Sequence, residues 1–352
     1  MRIVMTRRAS ITVGDGINIF LFSLADELLR QGHEVVVISS SQANTDLVRK
    51  LYSFENVPEI VSLTSNIHRN FWSNLSSWVI SGPRAISKVN PDVVIINGVV
   101  PALARRYPTI VVSHDVEIRG HHTVQRTYKR LSYRAARAVV ATSTEIKAIL
   151  RSTNIVPDAR VIPTCVSLEN YYRTSMAMRE PAILHVGTAG YKQPQMSLQV
   201  LEKLPPEFSL YMTGPVTQEL SETLAAMKAE ERKRVYAVGS VDAADFRRLL
   251  SRVLAVVVPS KYEVPVLSPT VLEAFASATP VVASSISADL LKPGVNGYVF
   301  DNPHSCADLI VQLQQESDVW KRLSYGASQT ARQFSTKSVA DQYIALARSI
   351  VS

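Results

Sequence analysis

The hydrophobic positions of this chain alternate between short, continuously apolar runs and longer stretches with helical spacing. At the start, the segment 2–6 has an apolar run at 3–5. It is followed by a stretch over 17–28 whose apolar residues recur every three or four positions, and then by the segment 34–39 with an apolar run at 35–38. A short continuous run is typical of a strand buried on both faces, whereas the recurring pattern is typical of an amphipathic helix. This alternation predicts an α/β protein in which helices connect parallel strands.

The same alternation continues to the C-terminal end of the chain. Apolar runs predict further strands at 92–97, 109–113, 138–142, 160–163, 182–186, 210–213, 235–238, 254–259 and 280–283. Amphipathic patterns predict closing helices at about 304–315, 317–333 and 337–351. Because the chain has 352 residues, two domains are the first expectation, and residues 172–181 have the composition of a linker.

The stretch 254–300 carries the densest set of local signals. Ser268 and Pro269 are predicted to be the N-cap and the first residue of a helix, because proline gives up no hydrogen bond there. This helix lies between the strands 254–259 and 280–283, so its N-terminus is expected at the carboxyl edge of a parallel sheet. Unpaired backbone N–H groups at such an edge can hold a phosphate.

These residues resemble the donor-sugar signature of glycosyltransferase family 4, whose members are nucleotide-sugar enzymes of the GT-B fold. The matching residues are Pro259, Ser260, Glu263, Leu272, Glu273, Ala274, Pro280, Val281, Val282 and Ala283. The sequence departs from the family in that the two glutamates are farther apart than usual, the loop between them lacks glycine, and Ala278 replaces a glycine.

The resemblance covers nearly the whole chain and implies two Rossmann-like domains, each with a doubly wound parallel sheet, that face a cleft. It places an acceptor-side domain over 1–172 and a nucleotide-sugar donor-binding domain over 173–336. It also implies that the last helix, within 337–352, crosses back to the first domain.

A buried strand at 182–186 leads into the loop 187–192, which carries a lysine suited to a phosphate because it is a movable positive charge. The resemblance implies that Lys192 binds the leaving diphosphate, that Glu273 accepts hydrogen bonds from the donor ribose, and that Glu263 lies near the sugar. It implies further donor contacts from Gly187, Thr188, Ser268, Thr270 and Val271.

Two positions in the first half of the chain are further candidates. Gly16 ends a Gly-Asp-Gly turn, which is compatible with a turn that lets loop and helix pack and equally with the approach of a phosphate or an acceptor. His114 follows the strand 109–113, and polar residues at strand ends face the ligand crevice of open α/β sheets. A lone histidine is more often structural, but the resemblance implies that His114 faces the donor sugar as a hydrogen-bond partner.

Almost all of the positive charge excess lies in the first half. Residues 1–172 contain 20 Lys and Arg against 13 Asp and Glu, and the rest contains 18 against 17. Helical spacing places five basic residues on one face, namely Arg126, Lys129, Arg130, Arg134 and Arg137. Such a face is either solvated or bound to an anionic membrane surface, where each basic residue contributes about 1 kcal/mol.

A second segment, 66–89, combines aromatic and basic residues. Phe71, Trp72 and Trp78 occur beside Arg69, Arg84 and Lys88. This mixture fits an interfacial helix or, equally, a helix with one face in the core.

Other features narrow the class of protein. No stretch approaches about 18 uninterrupted apolar residues, and the N-terminal run predicts a strand instead of a signal peptide. We therefore expect a cytoplasmic protein, peripheral on the inner membrane face if the basic face docks. The cysteines, Cys165 and Cys306, predict buried free thiols. Because the seven histidines are scattered, we expect no metal site. The resemblance implies that the nucleoside-diphosphate sugar is a substrate, so we expect no cofactor.

The residues and the resemblance together predict a retaining, metal-independent hexosyltransferase of glycan biosynthesis that moves a sugar from a nucleoside-diphosphate sugar to a glycan or lipid-linked acceptor. One alternative is a catalytically degenerate protein that binds a nucleotide sugar or serves as a scaffold. It is motivated by the altered loop 263–268, by Thr188 at the position where the family often has an arginine, and by Ala278. A second alternative, nucleic-acid binding by the basic half, is disfavoured because the second half is nearly neutral and no nucleic-acid module is recognised. We therefore expect no nucleic acid partner.

Overall fold

The computed structural model describes residues 1–12, 15–40, 45–63, 71–97, 106–114, 123–156, 158–261, 268–284 and 290–351. These residues form two compact units. The first unit is built from the described parts of 1–165 together with 336–351, and the second from those of 166–335. The last helix, Thr336–Val351, therefore belongs to the first unit although it follows the second unit in sequence.

A seven-stranded sheet forms the centre of the first unit. Its spatial order is β3-β2-β1-β4-β5-β6-β7, and every neighbouring pair is parallel. The strands are β1 Arg2–Arg7, β2 Glu34–Ser39, β3 Glu59–Ser62, β4 Val93–Asn97, β5 Thr109–Ser113, β6 Ala138–Ala141 and β7 Arg160–Val161. The helices described in this unit are Gly16–Arg30, Thr45–Tyr52, Phe71–Val89, Thr123–Ala135, Thr144–Ser152 and Thr336–Val351. The strand order reverses between β1 and β4.

Helices cover both faces of this sheet, which explains why its strands are continuously apolar. Successive side chains of a strand point to opposite faces. Accordingly, Ile3 and Met5 join the core beneath the helices Gly16–Arg30 and Thr336–Val351, whereas Val4 joins the opposite core with Trp78.

The position of Trp78 shows whether its helix, Phe71–Val89, presents an interfacial residue or a core residue there. Its side chain is buried, and its indole N–H donates a hydrogen bond to Ser40 Oγ at 2.6 Å. Trp78 is therefore a core residue and not an interfacial one. The following residues, Val79 and Ile80, are exposed. The side chains of Phe71 and Trp72 lie outside the described part of the chain.

The second unit contains a six-stranded parallel sheet with the order β10-β9-β8-β11-β12-β13. The strands are β8 Glu180–Val186, β9 Ser209–Thr213, β10 Val235–Gly239, β11 Val253–Val258, β12 Val281–Ser284 and β13 Gly297–Phe300. The described helices are Pro194–Lys203, Gln218–Ala226, Ala229–Arg232, Ala243–Arg252, Pro269–Ala276, Pro303–Gln315 and Ser317–Arg332. Here the strand order reverses between β8 and β11. The prediction of two doubly wound parallel sheets is confirmed.

The segment 172–181, which has the composition of a linker, is fixed to the second unit. Arg173 Nε donates to the carbonyl of Ala276 at 3.3 Å, and Ser277 Oγ donates to the carbonyl of Tyr172 at 2.7 Å. Strand β8 already begins at Glu180. The polar composition of this segment thus reflects side chains that bind backbone carbonyls, and not a free connection.

Candidate functional site

The strand order of the second sheet identifies its candidate ligand crevice. In open α/β sheets, ligands bind outside the carboxyl ends of the strands where the order reverses. Here that place lies between the ends of β8 and β11, which are followed by the loop 187–193 and by residues 259–261. These two segments are directly joined, because the backbone N–H of Lys261 donates to the carbonyl of Tyr191 at 2.8 Å.

Gly187 shapes the loop after β8. Its φ of +87° belongs to the left-handed region, which favours glycine. A Cβ at this position would lie 3.4 Å from Cγ of Lys192, so the aliphatic stem of the lysine passes close to the glycine. Lys192 closes a 3₁₀ turn, and its Nζ lies 5.3 Å from the centre of the Tyr191 ring. The predicted phosphate-binding lysine is therefore held at the strand end that faces the crevice.

His185 supports the same loop, and sequence reasoning did not identify it. Its Nε2 lies 2.7 Å from the carbonyl oxygen of Gly187, so this nitrogen donates, and Nδ1 accepts from the Ser197 hydroxyl at 2.8 Å. Burial lowers the pKa of His185 to about 4, which keeps the ring neutral. The signal that was available is a histidine inside an otherwise apolar strand.

Thr188 stands where the family usually has an arginine, and its hydroxyl is used within the protein. It donates to the carbonyl of Pro215 at 2.5 Å. Gly214, whose φ is +117°, comes so close that a Cβ there would lie 3.2 Å from the backbone nitrogen of Thr188. The Thr188 hydroxyl thus fixes the loop and does not replace the positive charge of an arginine.

The helix Pro269–Ala276 begins as the sequence predicts, with Ser268 as the N-cap residue and Pro269 as its first residue. The Ser268 hydroxyl does not cap the helix; it is buried and has no hydrogen-bond partner among the described residues. The first N–H groups of a helix have no intrahelical acceptor, so those of Thr270 and Val271 remain available to an anion. The Val271 side chain lies in the core and can contribute only through its backbone.

Glu273 lies one turn into this helix and is only 9% exposed. Its Oε1 accepts a hydrogen bond from the Tyr171 hydroxyl at 2.7 Å. Burial raises the pKa of Glu273 to about 7, opposed by the hydrogen bond from Tyr171 and by the charge of Arg247. Sequence reasoning missed Tyr171 and Arg247, because Tyr171 is 102 positions away from Glu273 and Arg247 lies on a different helix.

Other predicted residues of the second unit cannot be placed. Glu263 and most of the loop 263–268 lie outside the described residues, so the role of Glu263 stays a prediction. Within the described ranges, no group of three or more histidine, cysteine or acidic side chains is arranged to hold a metal ion. Cys165, in the first unit, and Cys306 are buried free thiols, as predicted.

In the first unit, His114 lies at the end of β5 and is 8% exposed. Its Nε2 lies 2.8 Å from Asn97 Oδ1, at the end of the neighbouring strand β4, and its ring makes an edge contact with Phe20. Burial, with a smaller effect of the Arg7 charge, lowers the pKa of His114 to about 3. The ring is therefore neutral near pH 7 and suited to hydrogen bonding. Asn97 was missed, although it is a strand-end residue like His114.

Gly16 is the first residue of its helix, and Asp15 is the N-cap. The Asp15 carboxylate accepts from the backbone N–H of Asn18 and, at 2.7 Å, from the guanidinium of Arg7. An anionic side chain thus already occupies this helix N-terminus. This arrangement favours the packing role of Gly16 over a phosphate-binding role.

The basic face is partly described. Arg130 and Arg134 are exposed on the helix Thr123–Ala135, but Arg137 is exposed beyond the helix end, so it does not continue the helical stripe as predicted. The side chains of Arg126 and Lys129 lie outside the described part of the chain. Leu131, between the exposed arginines, is 47% exposed. Among the described helices, none combines the length and the apolar character needed to cross a bilayer.

Two family models match the chain: Glycosyltransferase Family 4 over residues 14–170 and Glycosyl transferases group 1 over residues 180–316. The chain belongs to these glycosyltransferases. No curated protein sequence matches it.

Solved structures resemble this glycosyltransferase over almost its full length. A sucrose-phosphate synthase from Thermosynechococcus elongatus is 17% identical with a TM-score of 0.80, and the match covers 99% of this chain and 98% of that chain. The Anabaena protein HepE in complex with UDP is 17% identical with a TM-score of 0.79, over 99% and 100% of the two chains, and it is also known with UDP-glucose. WaaG, a glycosyltransferase involved in lipopolysaccharide biosynthesis, is 13% identical with a TM-score of 0.70, over 98% and 99%. These similarities establish the GT-B fold.

Proposed function

We propose that this glycosyltransferase transfers a hexose from a nucleoside-diphosphate sugar, with retention of configuration and without a metal ion. The observation that carries the proposal is the reversal of strand order between β8 and β11. At this place a backbone hydrogen bond joins the lysine-bearing loop 187–192 to Lys261. Further along the chain, the helix Pro269–Ala276 begins without a side-chain cap. A positive side chain and unpaired backbone N–H groups are the groups that stabilise a leaving diphosphate.

Most of the predicted site residues have a proposed role. Lys192 and the N–H groups of Thr270 and Val271 bind the diphosphate, and Gly187 allows the close approach of the loop. Glu273 accepts hydrogen bonds from the ribose, and Glu263 lies near the sugar. His114, in the first unit, hydrogen-bonds the sugar or the leaving phosphate as a neutral ring.

The acceptor is proposed to be a glycan or a lipid-linked saccharide bound by the first unit. The exposed arginines of that unit fit an anionic membrane surface on the cytoplasmic side, where a lipid-linked acceptor would be available. Such an enzyme would work in glycan biosynthesis as a peripheral membrane protein.

A thermal-shift screen of the purified protein against UDP, GDP, ADP and TDP and their common sugar conjugates tests the donor site. We expect one nucleotide to stabilise the protein selectively. A ligand at about 100 times its dissociation constant raises the free energy of unfolding by about 2.7 kcal/mol, which is large enough to detect. Lys192→Met should weaken the binding of that nucleotide at least tenfold, because it removes a hydrogen bond to a charged group. The matched control, Lys203→Met, changes an exposed lysine of the same unit and should have no effect.

The products then separate the enzyme from its degenerate alternative. Transfer or slow hydrolysis of the bound sugar, with its anomeric configuration followed by NMR, would support a retaining enzyme. Binding of a nucleotide sugar without either reaction would favour the scaffold, which Thr188 in place of an arginine also favours. A protein stabilised by no nucleotide would contradict the proposed donor site.

A further inference from the structure

Three side chains from different elements of the second unit meet in one cluster. Tyr171 follows the 3₁₀ turn Leu168–Asn170, Arg247 lies on the helix Ala243–Arg252, and Glu273 lies on Pro269–Ala276. The Tyr171 hydroxyl donates to Glu273 Oε1 at 2.7 Å, and the guanidinium of Arg247 lies 5.5 Å from the centre of the Tyr171 ring. Arg247 is as buried as Glu273.

This arrangement restricts the carboxylate of Glu273 without using all of it. Among the described residues, the Tyr171 hydroxyl is the donor to this carboxylate, and it occupies Oε1 alone. Burying a carboxylate is costly unless it is hydrogen-bonded and near an opposite charge, and Tyr171 and Arg247 supply these two conditions. The remaining oxygen, Oε2, is left to accept a hydrogen bond in one fixed orientation.

We propose that Tyr171 and Arg247 are positioning residues that hold Glu273 for the hydroxyl groups of the donor ribose. This inference rests on the proposed function, because it assumes that a nucleotide binds at the β8–β11 crevice. Tyr171 fixes the rotation of the carboxylate, and Arg247 holds the phenol ring and keeps a positive charge near the acceptor oxygens. A preorganised acceptor loses less conformational freedom when the ribose binds.

The same contacts give nucleotide binding a pH dependence. A ribose hydroxyl donates to the ionised carboxylate, so binding should weaken as the pH falls through the pKa of Glu273, which is about 7. Since the hydrogen bond from Tyr171 lowers this pKa, its removal should raise the pKa and move the transition to higher pH.

The other charged groups nearby are less directly placed. Arg173 bonds the carbonyl of Ala276 at the far end of the helix. The neighbouring helix Ser317–Arg332 carries only exposed charged residues, Asp318, Lys321, Arg322 and Arg332.

The test compares Tyr171→Phe with Tyr172→Phe, a matched control at the adjacent, exposed tyrosine. Affinities are measured calorimetrically for inorganic pyrophosphate and for whichever of UDP, GDP, ADP and TDP binds the wild-type protein most tightly. We expect Tyr171→Phe to weaken the binding of the nucleoside diphosphate about tenfold. This is the lower end of the range for the loss of a hydrogen bond to a charged group. Pyrophosphate affinity should not change, since pyrophosphate has no ribose, and Tyr172→Phe should behave as wild type.

Two further readouts separate positioning from mere structural support. In Tyr171→Phe the pH midpoint of nucleotide binding should lie above that of wild type, whereas a general loss of packing would leave the midpoint in place. When Glu273 is already replaced by Gln, adding Tyr171→Phe should lower nucleotide affinity little further, because the two residues act through one contact. Arg247→Gln provides a second variant, with the same expected direction, if Tyr171→Phe does not fold.

The outcomes distinguish this inference from the function on which it rests. Wild-type nucleotide binding with unchanged affinity and pH midpoint in Tyr171→Phe would overturn the positioning role and leave the proposed function standing. An equal loss of pyrophosphate and nucleotide affinity would also overturn it, because the effect would then lie in the diphosphate loop. Absence of nucleotide and pyrophosphate binding by the wild-type protein would overturn both.

Discussion

His114 and His185 lie at or near strand ends in the two sheets, and both rings are buried and hydrogen-bonded to an oxygen of the protein. Asn97 Oδ1 accepts a hydrogen bond from His114, and the carbonyl of Gly187 accepts one from His185. Their pKa values are lowered to about 3 and about 4, mainly by burial. A buried imidazole that must stay neutral links stability to pH, because the unfolded chain takes up a proton that the folded one does not.

For His114, the unfolded pKa is about 6.5. Above that pH, neither state binds the proton and stability is unaffected. Between about pH 6.5 and pH 3, only the unfolded state is protonated, so His114 should lower the free energy of unfolding by up to about 1.4 kcal/mol per pH unit. Denaturant titrations should therefore show that the stability difference between wild type and His114→Gln shrinks by about 2 kcal/mol from pH 7 to about pH 5.

The control for this prediction is His304→Gln, which changes an exposed histidine. Its stability relative to wild type should stay nearly constant over the same pH range. A constant difference for His114→Gln as well would mean that His114 is protonated in the folded protein, contrary to its buried environment.

At the scale of elements, residues 171–179 show how a polar segment becomes part of a core. Arg179 is buried, and its guanidinium donates to the carbonyls of Leu250, Val253 and Ser277 and to the Thr279 hydroxyl. It also lies 4.9 Å from the centre of the Trp320 ring. One side chain thus pairs the carbonyl groups at the C-terminal ends of two helices.

Replacing Arg179 should destabilise the second unit strongly. Arg179→Met keeps much of the apolar stem but removes the charged donor from three buried carbonyl groups, of which that of Leu250 retains a hydrogen bond from the Thr279 hydroxyl. Each buried group that is left unpaired costs about 1–3 kcal/mol. We expect a loss of at least about 3 kcal/mol in denaturant unfolding. Arg252→Met, which breaks a half-exposed ion pair with Glu180, is the control and should cost less than about 1 kcal/mol. Similar costs for the two variants would contradict the anchoring role of Arg179.

The elements themselves were largely predictable because their signals are local. Strand β5 has the predicted bounds, and Pro269 begins its helix as expected. The linker prediction for 172–181 failed for the opposite reason, since the acceptors of Arg179 lie about 70 to 100 positions away. Likewise, the sequence shows that Ala278 replaces a glycine, but only the structure shows that its φ is +54°. Contacts of Glu273 depend on the assembled fold and could not be read from local patterns.

At the scale of the whole molecule, the uneven charge is the property that the nucleotide site does not explain. The excess of basic residues lies in the part of the chain that forms most of the first unit. Arg130, Arg134 and Arg137 are exposed there, beside the half-exposed Leu131. Exposed cations next to an exposed apolar side chain are the combination that binds an anionic lipid surface.

Replacing these three arginines together by serine should therefore weaken binding to vesicles that contain phosphatidylglycerol, measured by co-sedimentation at low salt. At about 1 kcal/mol for each basic residue, the loss of vesicle affinity is about 100-fold. Added salt should weaken vesicle binding by the wild-type protein towards the same level. Nucleotide affinity should not change. The control replaces Lys228, Lys233 and Lys321, three exposed lysines of the second unit, by serine. Because both triple variants lose the same charge, equal losses would indicate attraction by net charge alone and would exclude a docking face on the first unit.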